Sequence, residues 1–321
     1  MGVIHDLLLR HGKDEAKSLL PGVERYLIDL ASQMLGEEVN QPNYLYTGFA
    51  MTHLPHRRTK NETEAWERHN GKFMLMVEPG RLIGRDGQPI RSTDGKPKII
   101  GVPYGPRARL ILIYLQSEAL KTSSPIVRLG ASLHDWMDRM GMAGGGTCYT
   151  AIREQSERIS ACRLTVAWRS DEGNAGFERA NIVSAMMFSP PTDSRQGSLW
   201  EETARLSPEF YSALGEHPMP VSEIAIKAIK NSSVTMDVYV WLCYRLRSLT
   251  KSTTVSWEAL HNQFGSSVKE LKRFKNSFVV PLKEALAVYP DAKVDIVQSG
   301  LILRPSRSAI PETESRRRRI L

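Results

Sequence analysis

Cysteine is scarce: Cys148, Cys162 and Cys243 are the only three in 321 residues, they stand far apart, and no C-x-x-C pair occurs. A disulfide framework or a structural zinc site needs cysteines in sets, so neither is expected. Long apolar runs are missing too. Stretches such as Val238–Tyr244 reach about seven residues, against the roughly 20 needed to span a bilayer. The start, MGVIHDLLLRHGKDE, turns charged too soon for a secretory signal. Gly-Lys pairs at 12–13, 71–72 and 95–96 are never followed by Ser or Thr, which excludes a Walker-type phosphate loop. No His-x-His occurs, which argues against a rolling-circle nickase. These absences describe a reducing, cytoplasmic protein with no membrane partner. No catalytic residue, cofactor or metal is assigned.

What is present is ordinary globular composition, 41% hydrophobic and 24% charged. At roughly 100–200 residues per domain, the length suggests two or three domains. The net charge of +8 is unevenly placed. From Val221 onward there are 17 Lys/Arg and 9 Asp/Glu, so the first 220 residues balance at 26 of each. A surplus confined to one segment points to a polyanion site there.

Two local patterns carry competing readings. His53-Leu54-Pro55-His56 offers two metal ligands, but Pro55 disfavours a helix and no carboxylate sits at ligand spacing; a surface turn is the preferred reading. Gly144-Gly145-Gly146 offers amides to a phosphate, or simply turns the chain between two helices, which is preferred.

Helical periodicity marks residues 1–41 (Val23, Leu27, Leu30, Met34, Leu35), and residues 42–100 are irregular and basic with one hairpin arm, Lys72–Val77. After Gly101 a pattern appears twice. The first copy predicts a helix over Arg107–Lys121, a strand at Ile126–Leu129, helices at Ser132–Met140 and Thr147–Ala161, and closing strands at Arg163–Arg169 and Ala180–Phe188 around the loop Ser170–Gly176. The second predicts a largely buried helix over Val234–Leu249, a strand at Thr253–Val255, a helix at Trp257–Phe264, a long helix from Val268, and strands Lys293–Gln298 and Leu301–Arg304 joined by Ser299-Gly300. This order is that of a winged helix containing a helix-turn-helix. The expected fold class is therefore α+β, mainly helical: two tandem winged-helix domains behind an N-terminal helical and irregular extension. Expected boundaries are 1–100 for the extension, 101–190 for the first winged-helix domain and 191–232 for a linker with a short helix at Pro208–Leu214. The second winged-helix domain is expected at 233–306, and a disordered basic tail at 307–321.

The segment SSVKELKRFKNSF is the most informative. Ser267 and Glu270 form a capping box predicting a helix from Val268. At about 100° per residue, Leu271, Phe274, Phe278, Leu282 and Ala285 share roughly 80° of arc. Lys269, Lys272, Arg273, Asn276 and Lys283 lie opposite, with Lys275 at the boundary. Lys and Arg there neutralise phosphates, while Arg273 suits guanine and Asn276 adenine. Ser266 and Ser267, at the helix start, hold a phosphate through amides and hydroxyls. Pro281 is expected to end the helix after about Val280, leaving Val268–Val279 to face DNA. Arg304, in the last wing strand, joins this set. In the first copy the equivalent helix pairs Arg153 and Arg158 with Glu154 and Glu157. Thr147, Tyr149 and Arg153 are its candidates for secondary DNA contact, with dimerisation the preferred role. The tail Arg316–Arg319 reads equally as a nonspecific nucleic-acid contact or a solvated end.

The stretches THLPHRR (52–58), WERHNGKFMLMVEPGRL (66–82), GVPYGPRARLILIYLQSEA (101–119) and SLHDWMDRMG (132–141) belong together with YTAIREQSERISACRLT (149–165), NIVSAMMF (181–188) and the blocks of 236–306, among them WEALHNQFG and KELKRFKNSFVVPLKEALAVYPDAKV. Over about residues 45–306 the chain resembles the RepA-type plasmid replication initiators of Gram-negative bacteria. The resemblance implies a non-enzymatic initiator that binds double-stranded origin repeats (iterons), helps open the origin, and recruits host DnaA and the replicative helicase. It also implies a homodimer in equilibrium with monomer, the dimer repressing its own gene. The matching motif makes the helix with Lys269, Lys272, Arg273 and Asn276 the principal reader. A dimeric winged-helix transcriptional repressor is the alternative. An enzyme, nickase or primase-like, is a third reading for which the residues give no support.

Overall fold

The computed structural model describes residues 2–35, 42–71, 73–82, 88–130, 133–142, 145–169, 175–187, 202–265 and 268–310. The chain is mixed α/β and divides into two units by packing: residues 1–43 with 219–321, and residues 44–218. This division cuts the chain differently from the five segments drawn from composition. Residues 1–43 join the C-terminal part of the chain.

The chain opens with helices α1 (Val3–Ser18) and α2 (Tyr26–Leu35). Leu27, Ile28 and Ala31 are buried, whereas Val23 and Leu35, counted with the apolar stripe, are exposed.

The unit of residues 44–218 contains a hairpin, β1 (Trp66–Asn70) and β2 (Phe73–Glu78), in the region where one hairpin arm is expected. Helix α3 (Gly105–Lys121) follows. Its apolar residues, Leu110, Ile111, Leu112, Ile113 and Leu115 among them, are buried all round it, which makes it the centre of this core. Buried Arg109 on α3 donates to the carbonyls of Leu54 (2.7 Å) and Pro55 (3.2 Å). The His53–His56 segment is therefore not a surface turn. His53 and Leu54 are buried, and the two imidazoles stack at 4.6 Å. Burial, with the Arg109 charge beside it, lowers the His56 pKa far below its ordinary value.

Next come β3 (Ile126–Gly130), α4 (Leu133–Arg139), α5 (Gly146–Ala161), β4 (Arg163–Arg169), β5 (Ala175–Asn181), β6 (Val183–Met187), β7 (Glu202–Leu206) and α6 (Pro208–Glu216). The closing strands differ from those expected. Residues 180–187 are split between β5 and β6, which go to different sheets. β4 and β5 extend the first hairpin into a four-stranded antiparallel sheet ordered β1-β2-β4-β5. β6 instead pairs with β7, in a stretch expected to be linker, and β7 pairs with β3, giving the order β3-β7-β6. Helix α6 covers the expected Pro208–Leu214 and is capped by Ser207, which accepts from the Phe210 amide.

The second pattern belongs to the other unit: α7 (Glu223–Ala228), α8 (Ser233–Ser248), β8 (Thr253–Ser256), α9 (Trp257–Phe264), α10 (Leu271–Ala287), β9 (Val294–Val297) and β10 (Gly300–Leu303). Serines 222, 232 and 256 cap α7, α8 and α9, each accepting from an amide three residues on. Helix α8 is buried nearly all round, as its composition predicts. Its Trp241 meets Phe264 edge-on at 5.6 Å. Phe264, Phe278 and Phe274 continue the cluster at 5.3 and 5.1 Å. The strands form an antiparallel sheet ordered β8-β10-β9. Gly300 is required at the start of the central strand: its φ is +154°, and a Cβ there would lie 2.0 Å from the Val255 carbonyl. The three-stranded sheets β3-β7-β6 and β8-β10-β9 share one topology: the strand after the long buried helix pairs with the last strand of the closing hairpin.

Candidate nucleic-acid interface

Helix α10 begins at Leu271, not Val268. Glu270 holds the N-cap position in an extended conformation, and its carbonyl receives the Phe274 amide at 2.9 Å. Ahead of it, the Val268 amide donates to Gly265 O at 3.0 Å. His261 Nε2 lies 2.5 Å from Val268 O, so the end of α9 fixes the approach to α10. Lys269 therefore sits ahead of the helix. The expected capping serine, Ser267, and its neighbour Ser266 lie outside the described residues.

Pro281 lies inside α10, which runs on to Ala287. The missing N–H removes one helical hydrogen bond, yet Leu282, Ala285 and Ala287 beyond it are buried, and that anchorage carries the helix through. The expected stop after Val280 is corrected accordingly.

The amphipathic reading of α10 describes its packing well. Phe274, Phe278, Leu282 and Ala285 are buried, while Lys272, Arg273 and Asn276 are exposed, as is Lys269 before them. Among the described residues none of Lys269, Lys272 and Arg273 has a carboxylate partner. Lys275 leans back, its ammonium 5.7 Å from the centroid of the Trp257 ring, a cation–π contact that holds it at the α9–α10 junction. Trp257 in turn meets Phe278 edge-on and donates Nε1–H to the Val297 carbonyl of the β9–β10 hairpin.

Two predicted contacts are separated from this cluster by their bonding. Lys283 is ion-paired with Glu24 at 2.5 Å. Arg304 is ion-paired with Asp295 across the hairpin. Next to Lys283, the Glu284 carboxylate accepts from Tyr26 Oη–H (3.0 Å) and Thr235 Oγ1–H (2.5 Å). Burial and Glu284 together push the Tyr26 phenol up to about 12. The N-terminal segment thereby grips the distal half of α10. No sequence signal marked Glu24 or Tyr26, because their partners lie more than 250 residues away.

In the other unit, Thr147 and Arg153 are exposed on α5. The Tyr149 hydroxyl is engaged with His134 Nδ1 at 2.9 Å. Arg158, placed with the charges of this helix, is buried. It bonds the Val102 carbonyl (3.2 Å) and pairs with Glu154 (2.9 Å) and Glu62. The hydrogen bond from Arg58 and the one from Arg158 hold the Glu62 carboxyl down at about 2. Of the glycine turn, Gly145 and Gly146 lead into α5, and Gly144 lies outside the described residues, as does the Arg316–Arg319 tail.

No helix among the described residues is long and apolar enough to cross a membrane. No curated protein sequence matches the chain. Two crystal structures of RctB domains 2 and 3, one of them a selenomethionine derivative, are similar at 11% identity and a TM-score of 0.48. They cover 83% of this chain and 97% and 99% of their own. Residues 102–259 match the family model for plasmid encoded RepA protein, a span that opens just before α3 and closes within α9. Over those residues the chain is similar to the plasmid encoded RepA protein family.

Proposed function

We propose that the chain is a non-enzymatic plasmid replication initiator that binds repeated sequences in double-stranded origin DNA. In this reading both β-closed units are winged helices, with α10 the principal recognition helix and β9–β10 its wing. The observation that carries it is the cationic face of Lys269, Lys272, Arg273 and Asn276. It is exposed and lacks acidic partners among the described residues, and it stands beside a short hairpin in helix-turn-helix order. Lys269 and Lys272 neutralise phosphates; Arg273 and Asn276 read base edges. Ser266 and Ser267 remain proposed phosphate contacts, and Lys275 a boundary contact.

The unit holding α5 is assigned to homodimerisation, with Thr147, Tyr149 and Arg153 available for secondary DNA contact. Monomers open the origin with host DnaA and the replicative helicase, and dimers repress the chain's own promoter. The match to the family model over residues 102–259 supports replication initiation. The test is a footprint on the DNA flanking the gene. Protection of short direct repeats spaced by roughly 10.5 or 21 base pairs supports the reading. Protection of inverted half-sites alone favours a transcriptional repressor.

A further inference from the structure

Strand β5 lies at the margin of the sheet β1-β2-β4-β5. Among the described residues it pairs with β4 alone, so the backbone donors and acceptors along its other edge have no strand partner. Beside it, α6 and the sheet bound a cavity of about 290 Å³. Buried Leu164 and Val166 of β4, Phe210 and Ala213 of α6, and Tyr46 form its apolar floor. Tyr46 meets Phe210 edge-on at 6.0 Å, which holds α6 against this floor. β5 contributes Arg179 and Ala180 to the wall. The rim comes from α6, where Glu209, Ser212 and Glu216 are exposed along one face of the helix. Glu216 accepts from Ser212 Oγ–H at 3.2 Å, but among the described residues neither glutamate pairs with a cation. Arg179 is held by Glu78 at 2.7 Å.

We infer that this groove takes an extended segment of a different protein, added as a further strand on the open edge of β5, with a large apolar side chain in the cavity and basic side chains against Glu209 and Glu216. An open edge asks for extended backbone: main-chain pairing supplies affinity, and pockets for alternate side chains supply specificity. Every second residue of the added strand points to the cavity side. An apolar anchor with a basic residue two positions to either side therefore turns all three toward α6. Those basic residues stand about 13 Å apart along a strand, against about 10.5 Å along the helix between positions 209 and 216. Two carboxylates without cations select a basic peptide and repel the phosphates of a nucleic acid. A second copy's β5 fits less well. Ala180 lies across from Leu164 and Gly176 across from Trp168, so both are on the cavity side of the strand. Paired edge to edge about a two-fold axis, a second copy would bring these two residues to the cavity, and neither supplies bulk or positive charge. The groove lies within the unit of residues 44–218 and does not rest on the reading of α10.

The test is fluorescence anisotropy of the labelled heptapeptides TKVLVKT and TEVLVET with the full chain, as wild type, as Ser212→Trp, and as the double variant Glu209→Lys with Glu216→Lys. All three positions are exposed, and far-UV circular dichroism monitors the fold. The wild type is expected to bind TKVLVKT at least about tenfold more tightly than TEVLVET. The double variant should reverse that preference, which a merely structural role of the glutamates would not do. Ser212→Trp, which covers the cavity, should weaken TKVLVKT by a similar factor, and replacing the central leucine of the peptide by aspartate should abolish binding to the wild type. No binding of TKVLVKT by the wild type, or binding that neither variant alters, overturns the groove. Equal binding of the two peptides by the wild type overturns the basic partner. Sedimentation equilibrium distinguishes the remaining occupant: a wild-type dimer that TKVLVKT dissociates gives the edge to a second copy and overturns the inference.

Discussion

Lys283 Nζ lies 2.5 Å from Glu24 Oε1, joining residues 259 positions apart. The pair engages one cation of α10 and ties it to the N-terminal segment. Helical position alone made Lys283 equivalent to Lys272; bonding separates them.

That separation is measurable. Lys272→Ala should lower the slope of log K against log salt by about 1, because one phosphate contact is lost. Lys283→Ala should leave that slope unchanged and instead cost under about 1 kcal/mol of stability, as expected for a half-exposed ion pair. Equal salt slopes for wild type and Lys272→Ala would remove Lys272 from the interface. A changed slope in Lys283→Ala would show that the Glu24 pair opens on DNA.

The buried Arg158 network gives a pH signature. The Glu62 carboxyl is lowered from 4.5 to about 2 in the folded chain by its bonds to Arg58 and Arg158. A depressed folded pKa contributes stability that is complete above the unfolded value and is lost as pH falls through the folded one. The contribution of Glu62 should therefore fade from about pH 4.5 to about pH 2. Denaturant unfolding of Glu62→Gln across that window should show a flatter loss of stability than wild type. Parallel curves would place the linkage elsewhere.

Pro281 interrupts the hydrogen-bond ladder of a helix that nevertheless continues. Pro281→Ala restores an N–H at a position already helical, so thermal and denaturant unfolding should show a gain of up to about 3 kcal/mol. A loss of stability would mean that the helix geometry beyond Val280 depends on the proline ring.

What was legible in the sequence was local. Phe274, Phe278, Leu282 and Ala285 fall on one face because helical periodicity is written in consecutive residues, and packing of Phe278 against Trp257 and Phe264 keeps that face inside. The Ser299-Gly300 turn likewise announces itself in a few residues. What was not legible depends on partners distant in sequence. Strand β7 lay in a stretch read as linker because its partners, β3 and β6, precede it by many residues. Nothing near Glu24 or Tyr26 signals the side chains they meet, and nothing near Glu62 signals Arg158. The start of α10 moved because a capping box is one of several ways to begin a helix, and here the extended Glu270 begins it. The His53–His56 turn was read as exposed because the guanidinium that buries it comes from Arg109, in a helix some fifty residues on.

The central claim is that α10 reads base sequence, and Arg273 tests it most directly. Fluorescence anisotropy would compare wild type and Arg273→Ala on duplexes carrying the origin repeat and on scrambled duplexes at matched salt. The account predicts a loss of roughly 1–3 kcal/mol on the repeat with little change on scrambled DNA. Because the side chain is exposed, thermal stability should be unaltered. Equal affinity of the two proteins for the repeat would contradict it.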